Sequence, residues 1–324
     1  MRISRRTIFF VFLLVCSQWS AGQTFPSKPV RIVVPFPPGG ADVTFRLIQK
    51  GMSEDLGQPV IIENRPGANG VIGAEFVARS APDGYILLGS TSSNLVVGPF
   101  VSNDVPFDTL KDFTAITLLF ATPNTILVNP SLPIKTLSEL VEYAKRNPGK
   151  LSYGSSGVGS GQHLDGETLK RTAGISMVHI PYKGFGPMVQ AMLSGELDIA
   201  LMTTQVAAPI LSAGKARLVA IYAGEAPVGF PTAPEVSEVV REFYSRITFI
   251  GLLGPSKLPA AIVSRLNSAA VKTVKSSDVR RVLEQSGQVY GNSPKEFAEL
   301  LKVSIESTQK AVSAAKAAGV NFVE

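Results

Sequence analysis

The stretch Val30-Arg31-Ile32-Val33-Val34-Pro35-Phe36-Pro37-Pro38-Gly39-Gly40-Ala41-Asp42 constrains the fold more than any other. β-favouring residues run into a Pro/Gly turn, and Val43, Leu47, Ile48 and Met52 follow at helical spacing. That order predicts a buried strand, a tight loop and a helix start. A helix start leaves backbone N–H groups unpaired at the positive end of its dipole. Gly39 and Gly40 lack the side chains that would keep a ligand off that backbone, so the loop reads as an anion cradle without a lysine. Many α/β strands end in such a turn and bind nothing, so the motif decides little alone.

The same alternation continues. Strands are expected at 30–35, 60–63 and 86–89, with helices at 43–56 and 71–79, an order that implies a parallel doubly wound sheet. Two more strands, 114–119 and 126–128, flank Ala121-Thr122-Pro123-Asn124. Thr136 with Glu139, and Ser293 with Glu296 behind Pro294, are capping boxes. A strand at 151–155 enters Gly154-Ser155-Ser156-Gly157-Val158-Gly159-Ser160-Gly161, and a helix is expected over 162–173. The strand, glycine loop and helix of the opening stretch thus recur. Strands at 177–180, 199–202, 218–221 and 247–253 and a mainly helical tail complete an α/β chain of two lobes, the second inserted in the first. The expected divisions are 23–121 with 223–324 for one lobe and 122–222 for the other. Ligands on such folds sit at the carboxyl ends of strands, often between domains.

Residues 1–22 stand apart. Arg2, Arg5 and Arg6 precede a short apolar run, and Ser20 and Gly22 suit cleavage after Gly22, so the segment reads as a secretory signal. Cys16, the only cysteine, follows Leu14-Val15, a poor lipoprotein site, and leaves with the signal, so lipid anchoring there is not expected. The formal charge of +6 falls to +3 once the three signal arginines go, since no acid accompanies them. No basic block with interleaved aromatics argues for nucleic acid.

Chemistry is harder to place. The serine-rich loop lacks the Gly-Lys-Ser/Thr ending and the dinucleotide glycine spacing. Ser156 or Ser160 with His163 is a candidate hydrolase pair, but no Gly-x-Ser-x-Gly elbow is present. His163 and His179 are the only histidines and have no carboxylate cluster beside them, which argues against a catalytic metal. Asp42 is expected as a first-turn acid that favours the helix dipole. Lys183, in Tyr182-Lys183-Gly184 after Pro181, stands at a strand end where cleft residues gather.

Taken together, several segments resemble the solute-binding receptors of tripartite tricarboxylate transporters, the Bug-type periplasmic receptors. They are residues 26–40 (Pro-Ser-Lys-Pro-Val-Arg-Ile-Val-Val-Pro-Phe-Pro-Pro-Gly-Gly), Glu63-Asn64-Arg65-Pro66-Gly67-Ala68 and Ala81-Pro82-Asp83-Gly84-Tyr85. Lys111-Asp112-Phe113, Pro148-Gly149-Lys150-Leu151, Ser155-Ser156-Gly157-Val158-Gly159-Ser160, His179-Ile180-Pro181-Tyr182-Lys183-Gly184 and Ala213-Gly214-Lys215 follow in the family's order.

The resemblance implies a two-lobed, monomeric periplasmic binding protein without cofactor that closes on a small organic acid anion and presents it to a membrane permease. It implies Phe36, Gly40, Ala41 and Asp42 as ligand-binding in one lobe and Ser155, Ser156, Gly159, Ser160 and His163 in the other. Thr91 and Asn94 are weaker members, and Lys183, Thr203 and Thr204 complete the set. Departures from the family pattern are a first loop one residue short, Met202-Thr203-Thr204 where a Phe-Asp-Asn-like segment is common, and Phe249 where tryptophan is frequent. A hydrolase, or a sensor that reports to a signalling partner, stays open at this stage.

Overall fold

The computed structural model describes residues 25–39, 41–102, 104–222, 224, 226–227, 229–243 and 246–322. The expected signal, Cys16 and Gly40 therefore lie outside the described residues.

The opening stretch forms β1 (Val30–Val34) and then helix α1 (Ala41–Leu56). β2 (Val60–Asn64) and β3 (Ile86–Thr91) both pair with β1 in parallel. Every residue of β1 except Arg31 is buried, and α1 lays Phe45, Ile48, Met52 and Leu56 against the sheet. Fully burying such side chains stabilises by roughly 1.5–3 kcal/mol each. Gly89 in β3 makes room for this packing, since a Cβ there would lie 2.6 Å from the Phe45 ring.

β4 (Phe113–Thr122), β10 (Thr248–Pro255) and the short β11 (Gln288–Val289) complete a six-stranded sheet in the order β11-β4-β10-β3-β1-β2. A second sheet has the order β7-β6-β8-β5-β9, with β5 Asn124–Val128, β6 Ser152–Ser155, β7 Val178–Pro181, β8 Ile199–Thr203 and β9 Arg217–Tyr222. Apolar clusters cover both faces of each sheet, so both units are doubly wound α/β layers.

The sheets are mixed rather than parallel. β10 runs antiparallel to β3 and β4, and β5 runs antiparallel to β8 and β9. The reason is connectivity. β4 leaves the first sheet and β5 enters the second, while β9 leaves the second and β10 returns. A strand entering a sheet at the junction runs against the strands that end there. The junction is also tighter than the turn residues suggest. Ala121 and Thr122 pair with Phe249 and Thr248, so β4 extends to Thr122 and only Pro123 separates it from β5.

Both expected caps form, with one difference. Ser293 and Glu296 make the reciprocal box. Thr136 Oγ1 accepts from Glu139 N–H, whereas the Glu139 carboxylate reaches back past the cap to Lys135 N–H at 2.6 Å. Among the described residues no helix is long and apolar enough to cross a membrane.

Candidate functional site

The loop after β1 is held by one buried acid. Asp42 is 2% exposed. Its carboxylate accepts from Arg46 Nε at 2.7 Å and from Asn64 Nδ2 at 2.9 Å. The same Asn64 amide donates to Phe36 O at 2.9 Å, and its oxygen accepts from Arg46 Nη2. Burial alone would raise the Asp42 carboxyl, but the bonds from Arg46 and Asn64 and the Arg46 charge hold it below the usual carboxylate range. Asp42 is thus turned inward and shapes the loop. Phe36 is half-buried and Ala41 opens α1 beside it.

A second turn, not expected from sequence, abuts this loop. Gly67, Ala68, Asn69 and Gly70 all have positive φ, at 133°, 46°, 51° and 89°. Such backbone is costly for Ala and Asn unless its surroundings impose it. Asn94 does so, donating from Nδ2 to Asn69 O at 3.2 Å while its oxygen accepts from Ser90 Oγ. A Cβ on Gly70 would come within 2.8 Å of Asn94 Nδ2 and 3.4 Å of the Phe36 ring. Phe36, Gly70 and Asn94 therefore form one wall. Thr91 stands half-buried at the end of β3, opposite Ile250 of β10. The sequence signal for the turn was Asn69-Gly70, a dipeptide that favours left-handed backbone.

The serine loop lies between β6 and helix α5 (Gly161–Ala173). Ser155 is fully buried; its hydroxyl bonds His179 Nε2 at 2.7 Å and Gly157 O at 3.0 Å. Ser156 is half-buried and donates to Gln162 Oε1 at 2.9 Å. Ser160 caps α5 by accepting from His163 N–H at 3.2 Å. Gly159, with φ +71°, donates its N–H to His163 Nδ1 at 3.2 Å. That nitrogen therefore carries no proton, and the neutral ring is protonated on Nε2.

His163 and His179 stack at 3.9 Å, and Tyr153 stacks on His179 at 4.8 Å. Burial pushes His163 down to about 4; burial, reinforced by the His163 charge, pushes His179 down to about 3. Burial, with the Glu167 charge and its hydrogen bond, pushes the Tyr153 hydroxyl up. The imidazoles thus support the loop from beneath as neutral rings.

Lys183 is exposed, and its neighbours Tyr182 and Gly184 donate backbone N–H groups to Ser155 O and Ser156 O. Thr203 is buried at the end of β8. Thr204 is buried and its hydroxyl meets Thr122 Oγ1 at 2.8 Å and Ser286 O at 2.5 Å, a link across the junction. The serine loop faces the first sheet's elements: a Cβ on Gly161 would lie 3.3 Å from Ser93 Oγ, and one on Gly159 would lie 3.1 Å from Val101.

The hydrolase pairing does not form. Ser156 is bonded to Gln162, and Ser160 meets the backbone of His163 rather than its ring. The serine that does touch an imidazole, Ser155, is sealed from solvent, and its partner His179 is a poor base. No group of three or more His, Cys, Asp or Glu suited to a metal occurs among the described residues.

Two doubly wound lobes, joined by two crossings and carrying glycine loops at their strand ends, define a binding protein of the periplasmic type. Residues 44–315 match the model of the tripartite tricarboxylate transporter family receptor, and the chain belongs to that family. A UPF0065 protein of Bordetella pertussis is 36% identical over 267 residues, which is 82% of each chain. A structure described as a periplasmic transporter is 38% identical, with a TM-score of 0.83 over 89% of this chain and 97% of its own. A Rhodopseudomonas palustris protein solved with adipate is 29% identical, with a TM-score of 0.83 over 90% and 98%. MatC from the same organism, solved with bound malate, is 31% identical, with a TM-score of 0.80 over 89% and 100%. The chain is a solute-binding receptor and not an enzyme.

Proposed function

We propose that this receptor works in the periplasm, closes the lobe built on β1–β4, β10 and β11 against the lobe built on β5–β9 around a small organic carboxylate, and presents it to membrane permease subunits. The ligand's carboxylate lies between the loop of Phe36, Gly40 and Ala41 and the loop of Ser156, Gly159 and Ser160, with Thr91 and Lys183 at the margin. Asp42, Asn94, Ser155, His163 and Thr204 have polar atoms engaged inside the protein, so they set the shape of the site. Thr203 is buried at the end of β8, opposite Asn124.

The observation that carries this reading is the serine loop itself. Gly157 and Gly159 take left-handed backbone, Ser156 and Ser160 stand at the N-terminus of α5, and Gly159 and Gly161 approach Val101 and Ser93 of the other lobe. That is an anion-binding surface built from donors. The bound malate and adipate of the two R. palustris neighbours support a carboxylate as the ligand class.

The test is a thermal-shift screen with malate, adipate and other organic acids against amines and neutral sugars, with each hit assayed afterwards for chemical change. A shift from acids alone, with the acid recovered intact, supports the reading. A large shift from a sugar, or none from any acid, overturns it.

A further inference from the structure

A cavity of about 250 Å³ is lined by Ser93 and by Gly161, where the serine loop runs into α5. Elements of both lobes and helix α11 (Pro294–Ala317) wall it. None of Phe36, Ala41, Ser156, Gly159 and Ser160 lines it. An apolar cavity of about 150 Å³ already holds benzene, so the space suits a small organic molecule.

Its polar groups are unevenly matched. Arg246 donates from a single terminal nitrogen, Nη2, to Gly161 O at 2.9 Å and to the Asp165 carboxylate. A guanidinium has five N–H donors, and the three on Nε and Nη1 have no partner among the described residues. Asp165 is satisfied on both oxygens, the second by the Tyr222 hydroxyl at 3.1 Å. Thr308, fully buried in α11, lines the same cavity, and its hydroxyl has no hydrogen-bond partner among the described residues. A buried unpaired hydroxyl is costly and calls for a partner. The unmatched guanidinium N–H groups can only donate, and the Thr308 hydroxyl can donate beside them. Val96, Leu300 and Val303 supply an apolar side, and Val303, 55% exposed, marks the mouth.

We propose that this cavity is a second binding site, distinct from the cleft, that takes a small monocarboxylate with a short aliphatic tail. The carboxylate accepts from the Nε and Nη1 N–H groups of Arg246 and from the Thr308 hydroxyl. The tail lies along Val96 and Leu300. A molecule seated there touches both lobes, so it favours the arrangement in which they meet.

Calorimetric titration of the purified protein with butyrate tests this, with n-butylamine and 1-butanol as controls. Thr308→Val keeps the shape of the side chain and removes only the hydroxyl; Ser156→Ala alters the cleft alone. The expected result is saturable butyrate binding that Thr308→Val weakens by about tenfold or more and Ser156→Ala leaves unchanged, with no binding of the amine or the alcohol. Absence of saturable butyrate binding overturns the proposal. So does binding weakened by Ser156→Ala and untouched by Thr308→Val, which places butyrate in the cleft. Equal binding of butylamine overturns it as well, because Asp165 would then be the recognition group.

Discussion

His163 and His179 lie face to face, 3.9 Å between ring centres and 11° between planes. The contact is long-range. It arises because parallel pairing of β6 with β7 sets Tyr153 opposite His179, while α5 carries His163 back over the same strands. Both imidazoles are neutral in the folded protein near pH 7, since burial holds them at about 4 and about 3.

This pair makes stability depend on pH with a definite sign. Unfolded histidines titrate near their ordinary value of about 6.5. Between that value and the folded values the unfolded chain binds more protons, so stability is complete above about pH 6.5 and is lost as pH falls towards 4. At about 1.4 kcal/mol per pKa unit, His163 alone accounts for roughly 3 kcal/mol. Urea denaturation from pH 7 to pH 4 reads this. His163→Asn, which keeps an acceptor for Gly159 N–H, should flatten the slope relative to the parent. An unchanged slope would remove His163 from the account.

Gly166→Ala should loosen the same column from the other side. A Cβ there would lie 2.2 Å from the Tyr153 ring, inside a packed core. Overpacking of this kind costs about 1–3 kcal/mol, and Tyr153 is the ring on which His179 rests. The expected outcome is a lower urea midpoint and faster amide exchange at Gly157 and Gly159. Parent-like exchange at both would mean that the loop holds its shape without the column.

Asp42→Ala should destabilise the protein by about 1.5–3 kcal/mol, the size of a lost hydrogen bond to a charged group. The carboxyl is held low in the folded state, so the contribution is present above the ordinary Asp value and vanishes as pH falls through the folded one. Denaturation at pH 7 and at successively lower pH should therefore show the gap between parent and variant shrinking as the carboxyl becomes protonated. A constant difference would assign the loss to packing.

Ser156→Ala should weaken carboxylate binding by roughly tenfold to a hundredfold, the equivalent of about 1.5–3 kcal/mol. The side chain is half-buried and its described partner is Gln162, so the fold should survive. Titration with whichever acid shifts the parent is the measurement. Unchanged affinity would move the ligand away from the serine loop.

A matching acid at a hundred times its Kd stabilises the native form by about 2.7 kcal/mol. For a chain of this size that is a rise of roughly 5 °C in Tm. The rise should fade as pH drops through the ligand's own pKa, since the loops offer donors to an anion. A rise that persists for the protonated acid would point to apolar contacts instead.

Much of this was legible in the residues. Pro35 to Gly39 and Gly154 to Gly161 announced themselves because proline and glycine leave few backbone choices, and Ser293 with Glu296 fixed a helix start. What escaped was whatever depends on contacts distant in sequence. Asn64 reads as a turn residue, yet parallel register places it opposite Val34, within reach of Phe36 and Asp42. Ala68 carries no local sign of left-handed backbone; Asn94, more than twenty residues on, helps impose it. Pro123 looked like the centre of a loop because proline ends ladders, but at a boundary between two sheets its missing N–H has no strand to serve.

That single residue between β4 and β5 also governs how the receptor can move. One trans peptide step spans about 3.8 Å, so the lobes cannot slide far past each other there, and swivelling is the large motion left. Proline locks its own φ near −65°, and Pro123 O is further tied to Thr204 N–H at 2.9 Å. The torsion must then be taken up by the bonds on either side, chiefly at Thr122 and Asn124. The return from Tyr222 to Thr248 is held as well: Val236, Val240 and Phe243 pack in the second lobe's core, and Thr248 Oγ1 accepts from Asn124 Nδ2 at 2.9 Å. The closure proposed above would then be the turning of one body about an axis that passes through the backbone of Thr122, Pro123 and Asn124.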